Sequence, residues 1–98
     1  MQPNQQQQNQ LQLKADDATL RGAYSNNMQV AHTKEEFIMD FMNMFPPVAT
    51  LNARVIMSPG HMKRMVAALA ENIKRYEETH GVIETASAPE NEMGFKTA

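Results

Sequence analysis

The chain has 98 residues, a formal net charge of −2 and no cysteine. The length allows one small domain at most, and the lack of cysteine excludes disulfides and thiolate-zinc sites. A chain of this size buries only about 60% of the surface that its unfolded form exposes, and oligomerisation is a usual way to stabilise it. Residues 20–81 carry seven Lys or Arg and six Asp or Glu, a balance that does not indicate nucleic-acid binding.

The N-terminal stretch MQPNQQQQNQ, residues 1–10, has no apolar side chain after Met1. It predicts a disordered Gln-rich tail rather than a secretory signal peptide. No run approaches the roughly 20 apolar residues that cross a bilayer, so the sequence predicts a cytoplasmic protein without a membrane partner. A single domain is expected over residues 11–81, and residues 82–98 are expected to be a flexible tail.

Three segments in chain order predict strands. The first is AYSNNMQVAHT, residues 23–33, and the third is TLNARVIM, residues 50–57. Between them lies TKEEFIMDFMNMFPP, residues 33–47, whose two prolines indicate a turn. The stretch QLQLKAD, residues 10–16, is a candidate fourth strand at the edge of the sheet.

The middle segment also fits a helix, because Thr33 and Glu36 form a capping-box pattern. As a strand, it carries Phe and Met side chains on both faces. We favour the strand, because a helix would leave two short strands without a local partner, and a two-stranded ribbon is marginally stable. An apolar face left exposed would mark a protein–protein surface, and the nine Met of the chain suit irregular partners. The sequence therefore predicts a homodimer or higher homo-oligomer with a further, unidentified protein partner.

Residues 58–81, SPGHMKRMVAALAENIKRYEETHG, have the signals of a long helix. Ser58 suits the N-cap, Pro59 the first helical position and Gly81 the C-cap. Apolar residues recur every three or four positions, which indicates burial against the sheet or a partner rather than a cofactor site. These residues are Met62, Met65, Val66, Leu69, Ile73 and Tyr76. The expected fold is α+β, a short antiparallel β-meander of three to four strands whose apolar face is covered by one long C-terminal helix.

A set of aromatic, polar and turn residues is spread over these strands and the helix. It consists of Tyr24, Asn26, Thr33, Glu36, Phe37, Asp40, Phe41, Arg54, Ser58, Pro59, His61, Lys63, Asn72, Tyr76, Glu77 and Gly81. In this combination the chain resembles a small bacterial and archaeal family catalogued as a domain of unknown function, DUF3467. The resemblance covers about residues 12–81 and implies a short sheet plus one helix, with no established activity. Lys34 departs from the pattern, since relatives often have Pro there, and this implies a less rigid turn.

Two groups of polar residues are candidate sites. Asp40 lies inside the middle segment, and strand pairing through the two prolines would place Arg54 nearly opposite it, which predicts a structural ion pair. A functional carboxylate is the alternative for Asp40. The second group surrounds the helix N-terminus and consists of Ser58, His61, Lys63 and Arg64. A phosphate or an acidic side chain of a partner would suit this position, and plain capping with a solvated charge pair is the alternative.

No residue pattern indicates an enzyme. His32, His61 and His80 are widely spaced and form no metal-binding pair on the helix, and no phosphate-binding glycine loop or nucleophile motif is present. The sequence predicts no catalytic residue, metal or cofactor. It favours a non-enzymatic protein-interaction module. The alternative is an anion- or nucleic-acid-associated accessory protein, with a link to the transcription apparatus that the family resemblance alone implies.

Overall fold

Two helices and three strands follow one another in residues 10–87, the part of the chain that this computed structural model describes. In chain order they are α1 (Asp17–Arg21), β1 (Asn27–His32), β2 (Phe37–Phe45), β3 (Val48–Met57) and α2 (Pro59–His80). The strands form one antiparallel sheet in the order β1-β2-β3. The predicted α+β fold, a meander followed by a long helix, is confirmed. Of the predicted tails, residue 10 and residues 82–87 are described, without regular structure, and the rest lies outside the described residues.

The ambiguous middle segment forms the central strand, so the strand interpretation is confirmed. Its capping-box pattern builds the β1–β2 turn instead of a helix start. The Thr33 N–H donates to the Glu36 carbonyl at 2.9 Å, and the Thr33 hydroxyl accepts from the N–H groups of Glu35 and Glu36 at 3.2 Å. A Thr and a Glu three residues apart therefore fit a polar turn as well as a helix cap. At the other end of β2, a two-residue turn with a cis peptide bond joins Pro46 to Pro47.

Side chains of β2 point alternately to the two sides of the sheet, and we name the sides after the residue numbers of β2. The odd face carries Phe37, Met39, Phe41, Asn43 and Phe45, with Met28, Val30 and His32 from β1 and Val48, Thr50, Ala53, Val55 and Met57 from β3. The even face carries Ile38, Asp40, Met42 and Met44, with Asn27, Gln29 and Ala31 from β1 and Ala49, Leu51, Arg54 and Ile56 from β3. The odd face is thus the more apolar of the two.

The segment before β1 differs from the prediction. Residues 10–16 form no strand, so the proposed fourth strand is wrong. Instead, Asp16 caps the short helix α1, and its carboxylate accepts from the Thr19 N–H at 2.7 Å. Such a local side-chain bond offers the backbone an alternative to strand pairing. β1 itself begins at Asn27 and not at residue 23.

The long helix has the predicted boundaries and caps. The Ser58 hydroxyl accepts from the His61 N–H at 3.2 Å, and Pro59 is the first helical residue. Gly81 ends α2 with a φ of +93°, a conformation that glycine adopts without a steric penalty. Its N–H donates to the Glu77 carbonyl at 3.0 Å.

Burial is confined to the sheet. No residue of α2 is buried, and the buried apolar side chains among residues 10–87 are Met39 and Met42. The expectation that the long helix covers one face of the sheet is therefore wrong for the single chain. The apolar residues of α2 remain in solvent, because the helix continues from the end of β3 without packing across the strands.

Candidate functional site

Side chains that precede β1 fasten its end to β2. The Asn26 N–H donates to the Met42 carbonyl at 3.0 Å, and the Ser25 hydroxyl donates to the same carbonyl at 3.0 Å. The Asn26 side chain bonds to both backbone groups of Met44: Nδ2 donates to the carbonyl at 3.0 Å, and Oδ1 accepts from the N–H at 2.7 Å. The amide of Asn26 therefore takes the place of one more strand residue.

Asp40 and Arg54 occupy paired positions on the even face. Arg54 donates two hydrogen bonds to the carboxylate, Nε to Oδ1 at 2.7 Å and Nη2 to Oδ2 at 2.9 Å. The bonds from Arg54 lower the pKa of Asp40 although burial acts in the opposite direction, and they raise the pKa of Arg54. The Asp40 side chain is 12% exposed and that of Arg54 is 53% exposed. The carboxylate therefore depends on its partner, whereas the guanidinium keeps contact with water.

The four residues predicted at the helix N-terminus do not form one cluster. The Ser58 hydroxyl is used in capping the His61 N–H, and the ring Nδ1 of His61 accepts from Nη2 of Arg64 at 2.8 Å. Lys63 lies on another side of α2, where it lines a groove together with Phe37. The Ser58 side chain thus bonds to the backbone, the side chains of His61 and Arg64 bond to each other, and Lys63 borders an apolar surface.

The odd face of the sheet is an apolar surface that α2 leaves open. Met39 is buried at its centre, whereas the flanking strands expose apolar side chains: Val30 is 52% exposed and Val55 is 41% exposed. Asn43 on the same face has a buried oxygen, Oδ1, without a hydrogen-bond partner among the described residues. Apolar patches of this kind on a soluble protein mark contact sites for other molecules.

The long helix carries a second apolar surface, which we call the helix stripe. It consists of Met62, Met65, Val66, Leu69, Ile73 and Tyr76. The last four of these side chains are each between 50% and 56% exposed. A helix with one apolar stripe gains most of its stability by packing that stripe against another element. Within residues 10–87, no element covers it.

A groove connects the helix stripe to the start of β2. Its volume is about 520 Å³, and it opens to solvent. The groove is lined by Phe37, Pro59, Met62, Lys63, Val66, Ala67 and Ala70. Small-molecule sites usually combine an apolar lining with several convergent polar groups. Lys63 supplies the one charged side chain of this lining, so the groove suits an apolar side chain with an acidic neighbour.

The described residues offer no other site chemistry. Within residues 10–87, no three His, Asp or Glu side chains are grouped so that they could hold a metal ion. In the same range, no helix combines the length and the apolar character needed to cross a bilayer. The surfaces above are therefore the features from which a function can be argued.

The sequence pattern does not indicate how polar residues anchor the edge of the sheet. The strand pattern predicted over residues 23–33 includes Ser25 and Asn26, although they bond to β2 from outside the strand. The strand pattern predicted over residues 50–57 includes Asn52 as a regular strand residue. Asn52 is an extra residue of β3, since the paired positions skip it, and its side-chain nitrogen donates to the Tyr24 carbonyl. The available signal was the concentration of Ser and Asn just before β1, which favours side-chain bonds to the backbone.

Comparisons with known proteins give one result for the family. The family described as "Protein of unknown function (DUF3467)" matches residues 1–85 of the chain. This range is longer than the part over which the motifs alone carry the resemblance. No curated protein and no solved structure matches the chain.

Proposed function

The chain belongs to the DUF3467 family, and for this member we propose a non-enzymatic protein-interaction module that works as a homodimer or higher homo-oligomer. One observation carries the proposal: residues 10–87 bury only two apolar side chains, Met39 and Met42, while the odd face and the helix stripe stay in solvent. Burial of apolar surface is the dominant favourable term in folding and in most protein association. A partner chain supplies the burial that the single chain lacks. The cytoplasmic location predicted from the sequence is part of this proposal.

The two apolar surfaces support two different contacts. The helix stripe runs along one regular element and suits a partner of equally regular shape. The odd face combines Met and Phe side chains on three strands, and Met surfaces adapt to partners of irregular shape. Self-association through one surface leaves the other available to a different protein.

Size-exclusion chromatography with light scattering tests the self-association. We expect the full chain at micromolar concentration to have the mass of two chains or a higher multiple. Its unfolding midpoint in urea should rise with protein concentration, because association stabilises the folded form by mass action. A stable monomer with a concentration-independent midpoint would overturn the proposal.

A matched pair of variants tests the odd face. Val30 on the odd face and Ile56 on the even face are almost equally exposed, at 52% and 53%. We expect Val30→Lys to reduce the binding of a hydrophobic dye to the assembled protein, and Ile56→Lys to leave most of it. Equal losses in the two variants would show that the odd face is not the open apolar surface.

The competing function, an anion- or nucleic-acid-associated accessory protein, has weaker support. Ser58, His61 and Arg64 already bond to one another, and Lys63 lies apart from them. This function requires retention on a heparin column at low salt, with a steep loss of affinity as salt rises. Retention that disappears in Arg64→Ala would favour it over the interaction module.

A further inference from the structure

The exposed stripe of α2 has the spacing of a coiled-coil seam. The side chains follow one another at intervals of four, three, four, three and four residues. They are Met62, Val66, Leu69, Ile73, Tyr76 and His80. This repeat averages 3.5 residues per turn, the period at which two helices keep their apolar sides in contact. A helix of 22 residues is about 33 Å long, which is enough for three such repeats.

The core positions of the seam are apolar. In the heptad nomenclature, Val66 and Ile73 occupy position a, and Leu69 occupies position d between them. Apolar side chains at a and d allow two helices to pack side by side along the seam. We propose that α2 packs against α2 of a second copy of this chain, in antiparallel orientation, about a two-fold axis near Ala70. The inference rests on the proposed self-association and identifies the surface that mediates it.

Charge on the flank of the seam determines the orientation. Lys63, Ala70 and Glu77 are spaced by seven residues, so they lie in one row beside the stripe. In an antiparallel pair centred on Ala70, the residue seven positions before the centre lies opposite the residue seven positions after it. Lys63 therefore meets Glu77 of the partner subunit, twice per dimer. In a parallel pair, Lys63 would instead lie level with Lys63 of the partner subunit, and Glu77 with Glu77 of the partner subunit. This row would then contain no pair of opposite charges.

The groove at the start of β2 fits the same arrangement. Its lining shares Met62, Lys63 and Val66 with the seam or its flank. An antiparallel neighbour brings the C-terminal turns of its helix to this end of α2. Those turns carry Tyr76 and His80, whose ring centroids are 4.8 Å apart and whose ring planes are tilted by 45°. The groove thus receives the aromatic side chains of Tyr76 and His80 of the partner subunit, and Glu77 of the partner subunit lies beside Lys63.

The first experiment places a charge in the seam. Leu69→Glu should convert the dimer to monomer in light scattering, because two carboxylates would be buried without partners. Ala68→Glu is the matched control, since residue 68 lies outside the seam, and this variant should remain a dimer. A dimeric Leu69→Glu protein would overturn helix pairing, while the proposed homo-oligomer would stand on another surface. A monomeric wild-type chain would overturn both.

The second experiment tests the orientation and does not depend on disrupting the core. Lys63→Glu and Glu77→Lys should each raise the dimer dissociation constant by roughly tenfold, because each variant creates two like-charge contacts. The double variant should recover most of the loss, and the part that it does not recover corresponds to the bond from the Ile83 N–H to the Glu77 carboxylate, which Glu77→Lys removes. Within one helix the two residues are about 21 Å apart, beyond the roughly 8–10 Å range of screened charges, so such rescue requires contact between chains. Glu78→Lys, on the outer side of α2, serves as the control and should leave the constant unchanged. Additive losses in the double variant would overturn the antiparallel pairing.

Discussion

The central strand β2 and the long helix α2 differ in how clearly the local sequence predicts them and in how deeply their side chains are buried. β2 has an ambiguous local sequence that also fits a helix, yet it holds the three buried residues of the described chain, Met39, Asp40 and Met42. α2 has two good caps and a regular apolar stripe, yet none of its residues is buried. In α2 the local sequence decides which element forms, whereas in β2 the pairing with the neighbouring strands decides it. In both elements, contact with neighbours decides how much the element adds to the free energy of unfolding.

The largest effect is expected from breaking the central strand. Met42→Pro removes a backbone N–H in a strand that is paired on both sides, and a central strand does not tolerate that loss. We expect the variant to be unfolded by circular dichroism and NMR. The control is Lys34→Pro, in the polar turn between β1 and β2, which should keep the fold. A folded Met42→Pro dimer would show that the β2 pairing is not what holds the chain together.

Shortening an apolar side chain in β2 and in α2 should change the free energy of unfolding in two different ways as the protein concentration varies. Met42 is 1% exposed, and Met42→Ala should lower the free energy of unfolding by about 2–5 kcal/mol at every concentration. Ile73 is 50% exposed in the single chain, so Ile73→Ala should cost little in dilute protein and more when chains associate. Urea unfolding at two well-separated protein concentrations measures both. An Ile73→Ala loss that is the same at both concentrations would contradict the difference between the elements.

The ion pair on the even face should give a smaller, asymmetric effect. Arg54→Met leaves the mostly buried Asp40 carboxylate without its partner, whereas Asp40→Asn leaves a half-exposed guanidinium. We therefore expect Arg54→Met to lower the melting temperature by several degrees and Asp40→Asn to lower it less. The double variant should recover part of the loss, since residues in contact are not additive. Additive changes would show that the pair does not couple β2 to β3.

The same pair makes a pH prediction. The pKa of Asp40 in the folded protein lies below its ordinary value of 3.8, so the folded state holds this proton less tightly than the unfolded state. Its contribution to stability is fully present above that value and is lost as the pH falls through the lower, folded-state pKa. The difference in melting temperature between wild type and Asp40→Asn should therefore be constant near neutral pH and shrink below about pH 4. A difference that does not change in acid would contradict this origin.

The smallest effect concerns the cap of α2. Ser58→Ala removes the acceptor of the His61 N–H and should lower the free energy of unfolding by about 1 kcal/mol. Ser58→Asp should restore the loss, because Asp is an equally good N-cap. Thermal unfolding followed by circular dichroism measures the change. A cost far above this value would mean that Ser58 does more than cap the helix.

The parts of the fold that depend on nearby residues can be predicted from the sequence. The bounds of α2 follow from Ser58, Pro59 and Gly81, and the turn between β2 and β3 follows from its two prolines. The position of α2 relative to the sheet depends on contacts between residues that are distant in sequence. The apolar stripe alone does not indicate which surface it packs against. The bonds of Asn26 and Asn52 also join distant parts of the chain, and an Asn beside a strand does not reveal its acceptor. Lys63 was grouped with Ser58 by proximity in sequence, although the helical turn sends the two side chains to different sides.

The methionines of the sheet and of the helix stripe have different exposure to oxidants. Met39 and Met42 are buried within a single chain, whereas Met62 and Met65 on α2 are only partly buried there. Peroxide converts an accessible thioether to a polar, chiral sulfoxide. If chains associate through the helix stripe as proposed, sulfoxide formation at the helix methionines reports the fraction of chains whose stripe is open. Oxidation there would also oppose this association, because a sulfoxide is polar.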